Sequence, residues 1–133
     1  MSDRHRILLV EDEELNRMLV KAVLSRAGVD AVRNAELVDA TTLSEARQSL
    51  RDGEFDLILL DLNLPDGNGL SLARELAAGQ APADRPKPVV VAVTASVLPQ
   101  DQRAALDAGC DDFLDKPYAA AALVATVARH LAD

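Results

Sequence analysis

The chain has 133 residues, enough for one domain that buries roughly two thirds of the surface its unfolded form exposes. Hydrophobic residues make up 49% but aromatic residues only 2%, which predicts an aliphatic core of parallel strands covered by helices on both faces. The net charge of −8 disfavours a nucleic-acid partner, because binding phosphates requires Lys and Arg. The single cysteine, Cys110, predicts a reducing compartment. No signal-peptide core or membrane-spanning stretch is visible, so we expect a cytoplasmic protein without a membrane partner.

Strand-like aliphatic runs alternate with helical periodicity from the start of the chain. The first predicted strand, Ile7–Val10, is followed by a helix that Gly28 would close in a left-handed conformation. The segment Gly28–Glu36 is longer than a tight connection needs, which predicts a surface excursion or an extra helical turn. The apolar face of the first helix is predicted to comprise Leu15, Met18, Leu19, Ala22 and Val23.

The same alternation continues to the end of the chain. A second strand, Glu36–Ala40, leads to Thr42-Leu43-Ser44-Glu45, a capping-box pattern that opens a helix running to Gly53. Five strand–helix units predict an α/β fold with a parallel sheet and right-handed crossovers. The later elements are a strand at Phe55–Leu60, a helix at Leu70–Ala78, a strand at Val89–Val93, a helix from Pro99 to Gly109, a strand at Asp112–Leu114 and a final helix through Leu131.

Polar side chains stand where the aliphatic runs stop. Glu11 and Asp12 follow the first strand, Asp61 follows the third, Thr94 the fourth and Lys116 the fifth. If these runs are parallel strands of one sheet, their carboxyl ends share an edge, and ligands of open α/β folds bind outside that edge. The pattern therefore predicts one site built from all five side chains.

The three carboxylates of this group favour a metal ion. At 4 Å, two like charges repel by about 1 kcal/mol in water and about 4 kcal/mol at an effective dielectric constant of 20. Mg²⁺ prefers oxygen ligands, and it commonly takes carboxylates together with a substrate phosphate. Glu11, Asp12 and Asp61 therefore predict a bound Mg²⁺.

Lys116 and Thr94 add groups that can hold an anion. Phosphoryl transfer depends mainly on positioning and charge neutralisation, and an Asp carboxylate can accept the group as an aspartyl phosphate. Asp61 is the best nucleophile candidate, because it has a strand behind it and the glycine-rich turn Pro65–Gly69 in front.

Other kinds of site find no support in the sequence. His5 and His130 lie at opposite ends of the chain, so zinc and Ser-His-Asp chemistry are not expected, and both are predicted to be solvated surface groups. Neither a phosphate-cradling loop nor a dinucleotide fingerprint occurs. Cys110 is expected to be a small buried side chain rather than a reactive thiol.

In combination, these residues resemble the receiver domain of bacterial two-component response regulators. The resemblance implies a flavodoxin-like, doubly wound, five-stranded parallel sheet of order 2-1-3-4-5 with five helices, and one receiver domain over residues 1–133. The matching segments are Val10-Glu11-Asp12-Glu13, Leu60-Asp61-Leu62-Asn63-Leu64-Pro65-Asp66-Gly67-Asn68-Gly69, Val93-Thr94-Ala95-Ser96 and Asp112-Phe113-Leu114-Asp115-Lys116-Pro117.

The resemblance implies that Asp61 is phosphorylated. It would take the phosphoryl group from a phosphohistidine of a sensor histidine kinase or a phosphotransfer protein. Glu11 stands where many receivers have Asp, so it would contact the metal directly or through water. The implied Mg²⁺ ligands are Glu11, Asp12, Asp61 and the backbone carbonyl of Asn63.

The resemblance also implies a conformational switch. Thr94 and Lys116 would contact the phosphoryl oxygens, and Phe113 would turn inward as Thr94 moves toward the phosphate. The surface of the fourth and fifth predicted helices would change, which makes it the expected contact for a downstream protein or a phosphorylation-dependent homodimer. Such a domain is a signalling switch and not an enzyme, since it catalyses only its own phosphorylation and dephosphorylation.

Two other functions share part of the pattern. A Mg²⁺-dependent phosphatase with an aspartyl nucleophile often carries a second Asp two residues after the first, but this chain has Asn63 there. A receiver-like interaction module that is never phosphorylated would not need the acidic residues, Thr94 and Lys116 together.

Overall fold

The protein is described here from a computed structural model over residues 5–79, 87–94, 99–116 and 118–131. Seven strands and six helices lie in these ranges. The strands are β1 (Arg6–Val10), β2 (Glu36–Ala40), β3 (Leu57–Asp61), β4 (Asn63–Leu64), β5 (Gly67–Asn68), β6 (Val89–Thr94) and β7 (Asp112–Asp115). The helices are α1 (Glu14–Ser25), α2 (Asp30–Arg33), α3 (Leu43–Asp52), α4 (Leu70–Ala77), α5 (Pro99–Asp107) and α6 (Ala120–Leu131).

Five strands form one parallel sheet in the order β2-β1-β3-β6-β7. Numbered along the chain among themselves, they have the order 2-1-3-4-5, which confirms the predicted topology. The two-residue strands β4 and β5 form a separate antiparallel hairpin directly after β3. None of the helices in the described ranges is long and apolar enough to cross a membrane.

The sheet separates two apolar layers because successive side chains of a strand point to opposite faces. In β1, Leu8 and Val10 face the layer covered by α3, α4 and α5, whereas Ile7 and Leu9 face the layer covered by α1, α2 and α6. Cys110 belongs to the first layer, and burial raises the pKa of its thiol to about 11. It is therefore the buried, unreactive cysteine that the sequence predicts.

The described residues form six helices where the sequence predicted five. The additional helix is α2, so the extra-turn interpretation of Gly28–Glu36 is correct, and the turn carries Val32 into the core. The predicted left-handed cap at Gly28 is wrong, because the positive-φ glycines of the described chain are Gly67, Gly79 and Gly109. The end of α1 closes instead through tight turns, in which the Ala27 N–H donates to the Leu24 carbonyl at 3.2 Å.

The predicted apolar face of α1 is also wrong for most of its members. Leu15, Met18 and Leu19 are 66%, 58% and 54% exposed, respectively, whereas the buried residues are Val20 and Leu24. Of the predicted set, only Val23 packs against the core, and Ala22 is exposed. The helix carries two apolar stripes, and only contact with the sheet decides which one is buried. The exposed set Leu15, Met18, Leu19 and Ala22 is called the α1 stripe below.

Candidate functional site

The carboxyl ends of four parallel strands assemble the site. Glu11 directly follows β1, Asp61 ends β3, Thr94 ends β6 and Lys116 directly follows β7. The Lys116 N–H donates to the Thr94 carbonyl at 2.7 Å, which ties the last two strand ends together. Residues that are more than one hundred positions apart thus meet at one edge of the sheet.

Three carboxylates converge there, as the sequence predicted. Among the described residues, Glu11, Asp12 and Asp61 offer oxygen atoms that all lie within 4.8 Å of one another. Asp12 is exposed, but Glu11 and Asp61 are 5% and 4% exposed. Burial raises the pKa of Glu11, and the hydrogen bond from the Glu13 N–H and the charge of Lys116 offset this increase only in part. The charge of Asp61 also raises the pKa of Glu11. Holding both carboxylates ionised is therefore costly unless a cation is near.

Lys116 supplies one such cation. Its Nζ lies 3.4 Å from Glu11 Oε1 and 3.4 Å from Asp61 Oδ2. Burial lowers the pKa of Lys116, but the charges of Asp61 and Glu11 and the hydrogen bonds to them together raise it above its ordinary value, so the side chain remains an ammonium. Within this group of four side chains, three carboxylates and one ammonium leave two formal negative charges.

The donor set fits Mg²⁺. The converging groups are all oxygens, which hard divalent cations prefer, and a divalent cation would match the two remaining negative charges. Asn63, the fourth predicted ligand, begins the β4–β5 hairpin two residues beyond Asp61. Its backbone N–H donates to Asp61 Oδ1 at 3.0 Å, so this peptide lies at the same edge of the sheet.

Backbone contacts hold the carboxylates in place. Glu11 Oε2 accepts the Glu13 N–H at 3.1 Å, and Arg17 Nη1 donates to the Glu11 carbonyl at 2.9 Å. A Cβ on Gly69 would lie 2.6 Å from the Asp61 carbonyl oxygen. Neither Arg17 nor Gly69 was predicted individually to contribute to the site, although Gly69 lies in the glycine-rich turn.

The two proposed switch residues lie in neighbouring strands. Thr94 is buried at the end of β6. Phe113, in β7, is partly buried and packs against the layer covered by α3, α4 and α5. Tyr118 packs against the other layer, and it also lines a small cavity with Glu11 and Asp61.

The two histidines are not the solvated groups that the sequence predicted. His130 Nε2 lies 3.0 Å from Asp112 Oδ2, and His5 Nδ1 lies 3.6 Å from Asp56 Oδ2. Their side chains are 20% and 24% exposed, respectively, so both are largely covered by the protein. Both lie outside the group of strand-end carboxylates, so their exclusion from the site holds.

Comparison with known proteins identifies the family. Residues 7–128 match the family model of the response regulator receiver domain. The chain is 41% identical over 125 residues to the aerobic respiration control sensor protein ArcB of Escherichia coli strain K12, covering 92% of the chain and 15% of ArcB. It is 28% identical over 127 residues to the polar-differentiation response regulator DivK of Brucella ovis, covering 96% of each.

Solved structures show the same likeness. The receiver domain of a Pseudomonas aeruginosa sensor histidine kinase, which has a magnesium ion coordinated in its active site cleft, matches with a TM-score of 0.78 and 29% identity over 97% of this chain and 98% of that one. A second match is to a chain in the co-crystal structure of the Saccharomyces cerevisiae histidine phosphotransfer signalling protein Ypd1 and the receiver domain of its downstream response regulator Ssk1. Its TM-score is 0.82 and its identity is 27%, over 96% of this chain and 89% of that one. With its parallel sheet and acidic cluster, the chain belongs to the receiver domain family of two-component response regulators, signalling domains that occur in response regulators and in hybrid kinases.

Proposed function

We propose that this domain accepts a phosphoryl group on Asp61 from the phosphohistidine of a sensor histidine kinase or a phosphotransfer protein. The observation that carries the proposal is the convergence of Asp61 with Glu11, Asp12 and Lys116 at one end of the sheet. A carboxylate oxygen of Asp61 would bond to phosphorus as the phosphorus–nitrogen bond of the donor breaks and the imidazole leaves. Because Asn63 and Lys116 each contact one oxygen of Asp61, its carboxylate is already oriented before the donor arrives.

Glu11, Asp12, Asp61 and the Asn63 carbonyl would hold Mg²⁺. When bound, the ion would offset the negative charge of the carboxylates and of the incoming phosphoryl oxygens. Lys116 would also offset this negative charge. Its ammonium would move from the carboxylates of Glu11 and Asp61 to contact a phosphoryl oxygen. The Thr94 hydroxyl would donate to another phosphoryl oxygen.

Phosphorylation would then be relayed by packing. Phe113 has no hydroxyl, so its rearrangement with Thr94 would depend on the room available in the α3–α4–α5 layer. The surface of α5 and α6, which are the fourth and fifth helices of the sequence prediction, would change and contact a downstream protein or a second copy. In this proposal residues 1–133 form one receiver domain. The domain catalyses only its own phosphorylation and dephosphorylation, and it functions in the cytoplasm.

Incubation with acetyl phosphate tests the phosphorylation. We expect intact-mass spectrometry to show one phosphoryl adduct per chain in the presence of Mg²⁺ and none after chelation, because the metal-free site keeps its excess negative charge. Asp61→Asn should abolish the adduct. Asp107→Asn, which changes an exposed carboxylate on α5 that pairs with Arg103, should retain it. An adduct that survives in Asp61→Asn would refute Asp61 as the acceptor.

The α1 stripe is proposed to contact the phosphodonor. It begins with Leu15, three residues after Asp12, and its large side chains are more than half exposed beside the site. A donor that brings a histidine to Asp61 would approach near the start of α1, because Asp12 and Leu15 are close in the chain. Exposed apolar patches of this kind mark protein contacts.

Met18→Glu should therefore slow phosphoryl transfer from a phosphorylated kinase or phosphotransfer protein by about tenfold, equivalent to about 1.4 kcal/mol of binding free energy. The rate with acetyl phosphate should not change, because this donor needs no docking surface. Leu106→Glu is the matched control: Leu106 is 48% exposed but lies on α5. Equal slowing by both variants would refute a specific role for the α1 stripe.

A further inference from the structure

Asp66 binds the N-terminus of a helix that is distant in the sequence. It lies in the turn between β4 and β5, where its Oδ1 accepts the Leu43 N–H at 2.9 Å and its Oδ2 accepts the Ser44 N–H at 3.1 Å. These are the first two N–H groups of α3, which have no partner within the helix. Carboxylates are favoured at this end of a helix by the helix dipole and by charge-assisted hydrogen bonds.

The helix α3 has a cap of its own as well. Thr42 Oγ1 accepts the Glu45 N–H at 3.1 Å, which confirms half of the predicted capping box. The other half differs, because Glu45 Oε1 accepts the Thr41 N–H at 2.7 Å instead of the Thr42 N–H. Thr42 thus satisfies one N–H group, and Asp66 satisfies the two before it. The two Asp66 bonds connect α3 to the β4–β5 hairpin.

The hairpin that carries Asp66 also carries the peptide next to the phosphoacceptor. Asn63 pairs with Asn68 within the hairpin, and the Asn63 N–H donates to Asp61 Oδ1 at 3.0 Å. The base of the hairpin is closed by the Gly69 N–H, which donates to the Leu62 carbonyl at 3.0 Å. A hairpin with two residues in each strand is too short to be stable alone, so its position depends on what holds its tip.

The tip lies directly against α3. A Cβ on Gly67, next to Asp66, would lie 3.2 Å from Leu43 Cδ1. Further along, Arg47 of α3 and Glu75 of α4 form a two-bond ion pair with distances of 2.9 and 2.6 Å. The hairpin is thus held between two helices that are themselves joined, and the Asp66 carboxylate attaches it to the first.

We propose that Asp66 is a positioning residue for the metal and phosphoacceptor site: it holds the β4–β5 hairpin on the N-terminus of α3 and so fixes the Asn63 peptide beside Asp61. The inference rests on the proposed function, in which the Asn63 carbonyl is a Mg²⁺ ligand. It adds that Mg²⁺ affinity depends on a hydrogen-bond pair at α3, more than twenty residues away in sequence. Displacement of this helix end would weaken the site without altering any ligand.

The test compares two variants that each remove hydrogen bonds from the same helix end. Asp66→Ala removes the link between hairpin and helix, whereas Thr42→Ala removes a cap and leaves the link intact. Mg²⁺ is added stepwise, and its binding is measured by the fluorescence of Tyr118, the only tyrosine in the sequence, which lines the cavity beside Glu11 and Asp61. We expect Asp66→Ala to raise the Kd for Mg²⁺ about tenfold, as loss of outer partners of metal ligands does, and Thr42→Ala to leave it within about twofold.

Three outcomes would overturn the inference. They are an unchanged Kd in Asp66→Ala, equal increases in both variants, and an Asn63 amide whose hydrogen exchange is no faster in Asp66→Ala than in Thr42→Ala. If Asp66→Ala fails to fold, Asp66→Asn, which keeps one acceptor oxygen, is compared in the same way and should give an intermediate Kd. Because the Kd is measured without a phosphodonor, failure of this inference is separate from failure of wild type to form an adduct.

Discussion

Replacing Lys116 with methionine should lower the free energy of unfolding by about 2 kcal/mol at neutral pH without divalent metal. Removing one partner of a buried ion pair leaves an uncompensated charge and costs about 3–5 kcal/mol, and we reduce this figure because Lys116 is 24% exposed. Urea unfolding measures the change. Adding Mg²⁺ should restore more stability to Lys116→Met than to wild type, since the ion replaces the missing positive charge.

The loss should also depend on pH. Burial already raises the pKa of Glu11 above its ordinary value of 4.5, and removing Lys116 takes away a charge that holds this pKa down. When the folded-state pKa of an acid is raised, the folded state binds more protons than the unfolded state, so stability rises as pH falls through the folded-state pKa. The difference in the free energy of unfolding between wild type and Lys116→Met should therefore become smaller as the pH falls from neutrality toward 4.5.

Lys21→Met is the matched control. Lys21 pairs with Asp39 on the surface, where the two side chains are 44% and 33% exposed. Exposed pairs contribute about 0–1 kcal/mol, so this variant should lose little stability and respond to neither Mg²⁺ nor pH in the same way. Phosphorylation by acetyl phosphate should fall about a hundredfold in Lys116→Met only, the cost of removing one stabilising donor from a transition state. Equal behaviour of the two variants would contradict the role of Lys116.

Replacing Gly69 with alanine should destabilise the protein by about 1–3 kcal/mol and impair phosphorylation, because the added methyl group has no room. Its Cβ would lie 2.6 Å from the Asp61 carbonyl oxygen and 3.2 Å from the Leu60 side chain. The φ of Gly69 is −56°, which any residue adopts, so the expected loss comes from contact and not from backbone conformation. Either the end of β3 or the start of α4 must move, and Asp61 would lose its orientation.

Gly28→Ala separates this effect from a general response to alanine. A Cβ on Gly28 meets nothing within 4 Å, and its φ is not in the left-handed region. We expect this variant to be neutral or stabilised by about 0.4–1 kcal/mol, since alanine restricts the unfolded chain. Thermal unfolding and adduct formation by mass spectrometry check both variants. A Gly69→Ala protein as stable and as readily phosphorylated as Gly28→Ala would show that β3 and α4 are not packed this closely.

Much of the site was predictable because its signals are local. An aliphatic run that ends at a polar residue marks a strand and its carboxyl end together, and four such ends were enough to place Glu11, Asp61, Thr94 and Lys116 at one edge. General rules for parallel sheets predict only the right-handed connections, whereas the order of the strands within the sheet was implied by the resemblance to receiver domains. The start of β3 was less predictable: the sequence indicated Phe55, but the strand begins at Leu57.

The features that the sequence did not reveal depend on contacts between distant segments. Nothing in the helical periodicity of α1 distinguishes the buried Val20 and Leu24 from the exposed Leu15 and Met18, because both sets recur at helical spacing. The sequence indicates only a turn residue at Asp66, whereas in the structure its carboxylate accepts a hydrogen bond from the start of α3. The sequence predicts a surface group at His130, whereas in the structure its ring contacts Asp112.

The chemical groups of the site, and the strand end at which each lies, can be inferred from the chain without coordinates, because hydrophobic runs and turn residues act within a few positions. Folding sets the distances between the carboxylates, the placement of Lys116 near two of them, the solvent exposure of the α1 stripe and the attachment of the hairpin to α3. Each of these depends on packing between segments that lie far apart along the chain, and local sequence patterns do not predict which distant segments will be in contact.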